Sequence, residues 1–122
     1  DRASRNTNVQ RLGAAAAEIA RSGGIGIAAP IAPFAEGRAL ARKAAAGLPF
    51  LLVHINTPLE VCEQRDRKGL YAKARAGKIA EFTGISSPYE VPDDADLVID
   101  ASTVSALDAA TLVMARLERI AR

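Results

Sequence analysis

"PFLLVHINTPLEVCEQR" (residues 49–65) decides the fold. Its first half, "PFLLVHIN", is apolar almost throughout and rich in strand formers. A continuous apolar run of this kind suits a strand in a parallel sheet covered on both faces. "TPLEVCEQR" then predicts a helix, with Thr57 as N-cap, Pro58 at the first helical position and Glu60 closing a capping box.

Working upstream, "TNVQRLGAAAAEIARSGG" (residues 7–24) predicts a helix in which Thr7 and Gln10 have capping-box spacing. Val9, Leu12, Ala16 and Ile19 recur on one face, and Gly23 and Gly24 stop the helix. "IGIAAPI" (residues 25–31) reads as a buried strand ended by Pro30 and Pro33, and "AEGRALARKAAAG" (residues 35–47) as a helix closed by Gly47. Downstream, "ADLVID" (residues 95–100) predicts a strand. Ser105 and Asp108 open a last helix with Leu107, Ala110, Val113, Met114, Leu117 and Ile120 on one stripe. Strands alternating with helices predict an α/β fold with a three-layer parallel sheet, whose ligands bind at the carboxyl ends of the strands.

Composition narrows the function classes. A chain of 122 residues suggests one domain or part of one, large enough to bury a core. Aromatics make up only 4% and alanine is abundant, so helices should sit close together. A net charge of +2, without a basic stripe interleaved with aromatics, argues against nucleic acid as a partner. No apolar run is long enough to span a bilayer, which argues against a membrane. The single cysteine, Cys62, rules out an internal disulfide and a Cys-based zinc site, in keeping with a cytoplasmic protein.

Most motifs have a plain structural reading. "GIGIAA" (residues 24–29) fits G-x-G-x-x-G/A, but a helix precedes it and a strand follows, the reverse of a dinucleotide site. No G-x-x-x-x-G-K-[ST] occurs, since Gly77-Lys78 is followed by Ile79. His54 reads as a satisfied strand histidine, Cys62 as a small buried hydrophobe, and Asp93, Asp94 and Asp96 as a solvated turn, with metal binding the weaker alternative. Arg5, Asn8 and Arg11 surround the expected start of the first helix. Free N–H groups there favour an anion, while a capped, solvated helix end is the plainer reading.

One segment resists the plain reading. "RDRKGLYAKARAGKIAEFTGISSPYE" (residues 65–90) concentrates Arg65, Arg67, Lys68, Lys73, Arg75 and Lys78 beside a strand end. Gly69, Gly77 and Gly84 allow bends, and Phe82 is the only aromatic between Tyr71 and Tyr89. Cations for phosphate and a ring for a base are what a lid over a phosphorylated nucleotide needs; a loop with an incidental Phe is the alternative.

"PLEVCEQRDRKGLYAKARAGKIAEFTGISSPYE" (residues 58–90) closely resembles the signature region of adenylylsulfate (APS) kinases. "NTNVQRLG" (residues 6–13) and "GGIGIAAPIAPF" (residues 23–34) resemble the APS-site segments that precede it. The "APIAP" wording is most similar to the kinase part of bifunctional sulfate adenylyltransferase/APS kinase proteins. The resemblance covers nearly the whole chain. It implies a P-loop kinase fold that transfers the ATP γ-phosphoryl to the 3′-hydroxyl of APS, giving PAPS, with Mg²⁺ accompanying ATP. Arg5 and Asn8 match the family's R-x-x-N pair that grips APS, with Asn6 and Thr7 between them. Ile31 and Ala32 match the segment bordering the APS ribose and phosphosulfate. Lys68 matches the lid lysine, Phe82 the ring that stacks on the APS adenine with Glu81 beside it, and Arg65 the arginine against the ATP adenine.

Two departures stand out. Ala32 stands where many relatives have a serine that can be phosphorylated, and the Walker loop and the family's Asp-Gly-Asp segment are absent. The expectation is therefore the C-terminal two thirds of an APS kinase domain, with its lid over about residues 65–90. Its first strand, its Walker A loop and its catalytic residues would lie upstream of Asp1, and no metal ligand falls within the chain. The chain alone should be inactive. The resemblance names APS and ATP as partners and allows a homodimer and a fused sulfate adenylyltransferase domain. Two other readings remain open at this point. One is a degenerate kinase domain that binds APS or PAPS and regulates or scaffolds an attached sulfurylase. The other is a P-loop kinase for another small acceptor, which the specificity of the lid motif disfavours.

Overall fold

Asp1 starts the first helix, six residues before the expected cap at Thr7. In the computed structural model, which describes residues 1–121, α1 spans Arg2–Arg21 and the Asp1 carboxylate accepts the Ser4 amide at 2.8 Å. Thr7 is consequently an interior helical residue and caps nothing; an N-cap that lies outside the amphipathic repeat left no periodic trace. The helix ends as expected, with Gly23 in the left-handed region at φ 92°.

The chain divides into two compact units. The first comprises Asp1–Phe50 with Tyr89–Val91 and is built on α1 and α2 (Ala35–Ala44). The two helices meet where side chains are smallest. A Cβ on Gly13 would lie 2.7 Å from the Ala41 Cβ, and one on Gly37 would lie 2.7 Å from the Asn6 Oδ1. Val9, Ala17, Phe34 and Ala45 form the buried apolar centre of this unit. The expected strand over residues 25–31 does not form. A strand requires a ladder partner, and among the described residues this run has none; it is extended, with Ile27 86% exposed. It instead lies so close to α1 that a Cβ on Gly26 would come within 2.2 Å of the Ala16 carbonyl oxygen.

The second unit comprises Leu51–Pro88 and the chain from Pro92 onward. Here β1 (Val53–Ile55) pairs parallel with β2 (Leu97–Ile99), with Val53 opposite Leu97 and Ile55 opposite Ile99. Both strands lie inside the predicted runs but are shorter, because each is limited by the length of its partner. Asp96 pins the register. Its carboxylate accepts the Leu52 amide at 2.7 Å while its own amide donates to the Leu52 carbonyl, so it is not part of a merely solvated turn.

Covering on both faces of the sheet is incomplete among the described residues: His54 and Ile99 are buried, but Ile55 and Val98 are each 56% exposed. The last helix, α5 (Ala106–Ile120), is capped as expected, the Ser105 hydroxyl accepting the Asp108 amide. Its apolar stripe is covered only in part. Val113, Leu117 and Ile120 are half-buried, whereas Leu107 is 78% exposed.

Candidate functional site

The sequence-predicted residues fall into both units, and each unit places its own set. In the first, Arg5, Asn6, Thr7 and Asn8 occupy the second turn of α1. The Arg5 amide already donates to the Asp1 carbonyl, so the free N–H groups expected beside these residues lie further back, at the true helix start. Asn6 is turned into the α1–α2 contact, where its Nδ2 donates to Glu36 at 3.0 Å. Thr7 and Asn8 face solvent and Arg5 is half-buried. An open hollow of about 380 Å³ lies beside them, lined by Arg2, Ala3, Asn6, Thr7, Glu36 and Leu40.

Ile31 is exposed and Ala32 half-buried. Ala32 holds φ 47°, a left-handed conformation unusual for a residue with a Cβ. Around it lies a set of groups that the sequence reading missed. Arg38 Nη1 donates to the Ala32 carbonyl at 2.7 Å and Nη2 to the Glu90 carbonyl at 2.6 Å. The Glu90 amide donates to the Pro33 carbonyl at 2.7 Å, and its carboxylate accepts the Ala35 amide at 2.9 Å and Arg2 at 3.3 Å. The Ala35 hydrogen bond, helped by Arg2 and Arg38, holds the Glu90 carboxyl below the usual range. Arg2 in turn lies over the Phe34 ring at 4.2 Å. The Arg38–Glu90 pairing spans 52 residues of sequence, so no local spacing could have announced it.

In the second unit the basic segment begins at the end of α3 (Leu59–Gln64). Thr57 does not cap α3 as expected. Pro58 takes the N-cap position, and the Thr57 hydroxyl accepts the Ala101 amide at 3.1 Å instead. Arg65 donates to the Ala101 carbonyl at 3.2 Å, which sets it at the carboxyl end of β2, the expected edge for a ligand. Nearby, the Ser102 hydroxyl and amide, with Arg65, keep the Asp100 carboxyl below its ordinary value. Gln64, Arg65, Asp66 and Arg67 line an open hollow of about 390 Å³.

Gly69, left-handed at φ 65°, leads into α4 (Leu70–Arg75). Asp66 supplies the cap from a distance: its carboxylate accepts the Tyr71 amide at 3.3 Å and the Ala72 amide at 3.2 Å. Arg75 forks onto Glu63 with contacts of 3.1 and 2.6 Å, lowering the glutamate's pKa. Lys68 is exposed.

Phe82 is half-buried and meets Tyr71 edge to face, with ring centroids 5.0 Å apart. Its carbonyl accepts the amides of Ile85, Ser86 and Ser87, and its amide donates to the Ser86 hydroxyl at 2.8 Å. Glu81, immediately before it, is the second non-glycine residue with positive φ, at 52°. The two non-glycine positions with positive φ among the described residues, Ala32 and Glu81, are thus both residues that the sequence singled out.

His54 is buried and partnered, as a strand histidine should be. Cys62 is only half-buried, and its thiol faces the Thr57 carbonyl at 3.9 Å, so it is not a fully buried hydrophobe. Burial, followed by the proximity of Cys62, pushes the Tyr71 phenol up. Among the described residues, no group of three or more His, Cys, Asp or Glu side chains is arranged to hold a metal ion. No helix among them is long and apolar enough to cross a membrane.

A parallel strand pair in a chain that alternates strands with helices fits a P-loop kinase fold, and comparison with known proteins agrees. The chain belongs to the adenylylsulphate kinase family, whose sequence profile matches residues 1–100. It is 55% identical over 103 residues to a sulfate adenylyltransferase of Aspergillus terreus, covering 83% of this chain and 18% of that protein. A sulfate adenylyltransferase of Mycosarcoma maydis is 49% identical over 118 residues, covering 93% of this chain and 21% of the relative. The chain therefore spans about a fifth of the length of these relatives. Among solved structures it matches the Mycobacterium tuberculosis APS kinase in complex with AMPPNP and APS. That match has a TM-score of 0.92 and 46% identity, and covers 97% of this chain and 69% of that one.

Proposed function

We propose that this chain is the acceptor-side and lid portion of an APS kinase domain, within a protein that phosphorylates the 3′-hydroxyl of APS with ATP to give PAPS. The observation that carries this reading is the match over 97% of the chain to a kinase solved with AMPPNP and APS. In this reading Arg5 and Asn8 grip the phosphosulfate side of APS, and Asn6 holds the pair in place through Glu36. Ile31 and Ala32 border the ribose. Phe82 stacks on the adenine with Glu81 beside it, Lys68 meets phosphate, and Arg65 lies against the ATP adenine.

Among the described residues no group of three or more His, Cys, Asp or Glu side chains is arranged to hold the Mg²⁺ that accompanies ATP. Phosphoryl transfer depends chiefly on positioning and charge stabilisation, and this chain supplies positioning for the acceptor. The protein works in the cytoplasm in this reading.

A second reading draws on the adenylyltransferase relatives: a kinase-like domain that binds APS or PAPS and regulates an attached adenylyltransferase. PAPS formation from APS and MgATP separates the two. The first reading expects turnover of about 1–100 per second from the full-length polypeptide, and none from the isolated 122-residue chain, which contains no G-x-x-x-x-G-K-[ST]. APS binding by the full-length protein without any PAPS formed would decide for the second.

A further inference from the structure

Burying a guanidinium is costly, and the cost is met only when the group is fully hydrogen-bonded. Arg38 is 8% exposed, and the two hydrogen bonds described for it run to the backbone carbonyls of Ala32 and Glu90. Its guanidinium also lies 5.7 Å from the centre of the Tyr89 ring. Ala32 needs such a hold. Left to itself, a residue with a Cβ leaves the left-handed region, yet Ala32 sits there at φ 47°. The segment is fixed at further points on the same partner, through the Pro33 carbonyl on the Glu90 amide and the Ala35 amide on the Glu90 carboxylate.

We propose that Arg38 is a positioning residue for APS: with Glu90 as its anchor, it holds the Ile31–Ala32 segment in the strained backbone shape that the acceptor meets. The assignment rests on the reading that this segment borders APS. Arg38 acts through the Ala32 carbonyl and touches no substrate. A lysine keeps the charge but has a point donor in place of the planar fork, so it cannot hold both carbonyls in the same way.

The test is calorimetric titration of the full-length polypeptide with APS and, separately, with AMPPNP, alongside thermal melting. Arg38→Lys should weaken APS about tenfold, the loss expected for a charge-assisted hydrogen bond, while AMPPNP affinity stays within about twofold. Adding Ala32→Gly to Arg38→Lys should recover about threefold of APS affinity, because glycine enters positive φ without being held there. Equal losses for both ligands together with a lower melting temperature, or unchanged APS affinity in Arg38→Lys, would overturn the assignment. Should Arg38→Lys not fold, Arg38→Gln takes its place. Its amide donates to only one of the two carbonyls, so it should cost about tenfold in APS affinity only, and no loss there overturns the assignment equally. Wild-type protein that takes up no APS would overturn the reading of the whole site, whereas APS uptake unaffected by these variants would overturn the role of Arg38 alone.

Discussion

The two units hold their candidate side chains in different ways. In the first, Ala32 is fixed by contacts that span the sequence: Arg38 reaches the Glu90 carbonyl 52 residues away, and Asn6 reaches Glu36 30 residues away. In the second, Phe82 and the start of α4 are fixed by neighbours. The Ser86 hydroxyl lies four residues from Phe82, and Asp66 lies five and six residues from the amides it caps. A segment shaped by long-range contacts keeps its form only while the rest of its unit is folded. One shaped by local contacts can form, and open, largely by itself. The first arrangement suits a fixed surface and the second suits a flap.

Substitution of one residue on each side is the strongest way to break this comparison. Arg5 is expected to act on an anion through charge-assisted hydrogen bonds, so Arg5→Ala should cost APS binding about 1.5–3 kcal/mol. It should also flatten the salt dependence of binding, because a screened charge has gone. Phe82 is expected to act by stacking, and Phe82→Ala should cost about 1–3 kcal/mol at any salt concentration. ATP affinity should barely change in either variant. The check is calorimetry with APS and ATP at two ionic strengths in the full-length polypeptide. Intact APS affinity in Phe82→Ala, or loss of ATP binding in both variants, would remove the acceptor-side assignment.

A smaller effect is expected from the local fastening of the proposed flap. Asp66→Ala removes the acceptor for the Tyr71 and Ala72 amides at the start of α4. Losing a helix cap costs about 0.5–2 kcal/mol, to be read as a lower denaturation midpoint with APS affinity little changed. If stability is unaffected but APS binding collapses, Asp66 belongs to the ligand site and the flap has another support.

Much of this could be read in the sequence, and what could not has definite causes. The β1 and β2 runs, the α3 helix and the Ser105 cap follow from local periodicity and capping chemistry, and the structure keeps them with shorter strands, while α3 starts from Pro58 in place of Thr57 and α2 ends at Ala44, before Gly47. The helix start at Asp1 was missed because Thr7 and Gln10 imitate a capping box inside a helix. The strand over residues 25–31 was over-read because its composition is right while its pairing is decided elsewhere. The candidate site divides in the same way. Phe82, Arg65 and Lys68 could be singled out as candidates from their own neighbourhood, whereas Arg38 and Glu90 become candidates only once the fold brings them to Ala32.

The smallest effect sharpens the comparison through pH. Arg75 forks onto Glu63 at the surface of the second unit, and that hydrogen bond holds the Glu63 carboxyl below its ordinary value of 4.5. A carboxylate whose folded pKa is depressed contributes stability above its unfolded pKa, and loses it as pH falls through the lower folded value. Glu63→Gln should therefore lower the denaturation midpoint slightly at about pH 7, and the gap to wild type should be smaller at about pH 3, closer to the protonation of Glu63. Being exposed, the pair should also weaken in salt. The Arg38 contacts in the first unit behave differently, since the acceptors at Ala32 and Glu90 are backbone carbonyls that do not titrate. Denaturation of Glu63→Gln and Arg38→Lys at the two pH values measures the contrast directly. A Glu63→Gln deficit of equal size at both would mean that this contact works through shape and not charge, and the distinction between a screened, local fastening and a buried, long-range one would lose its electrostatic half.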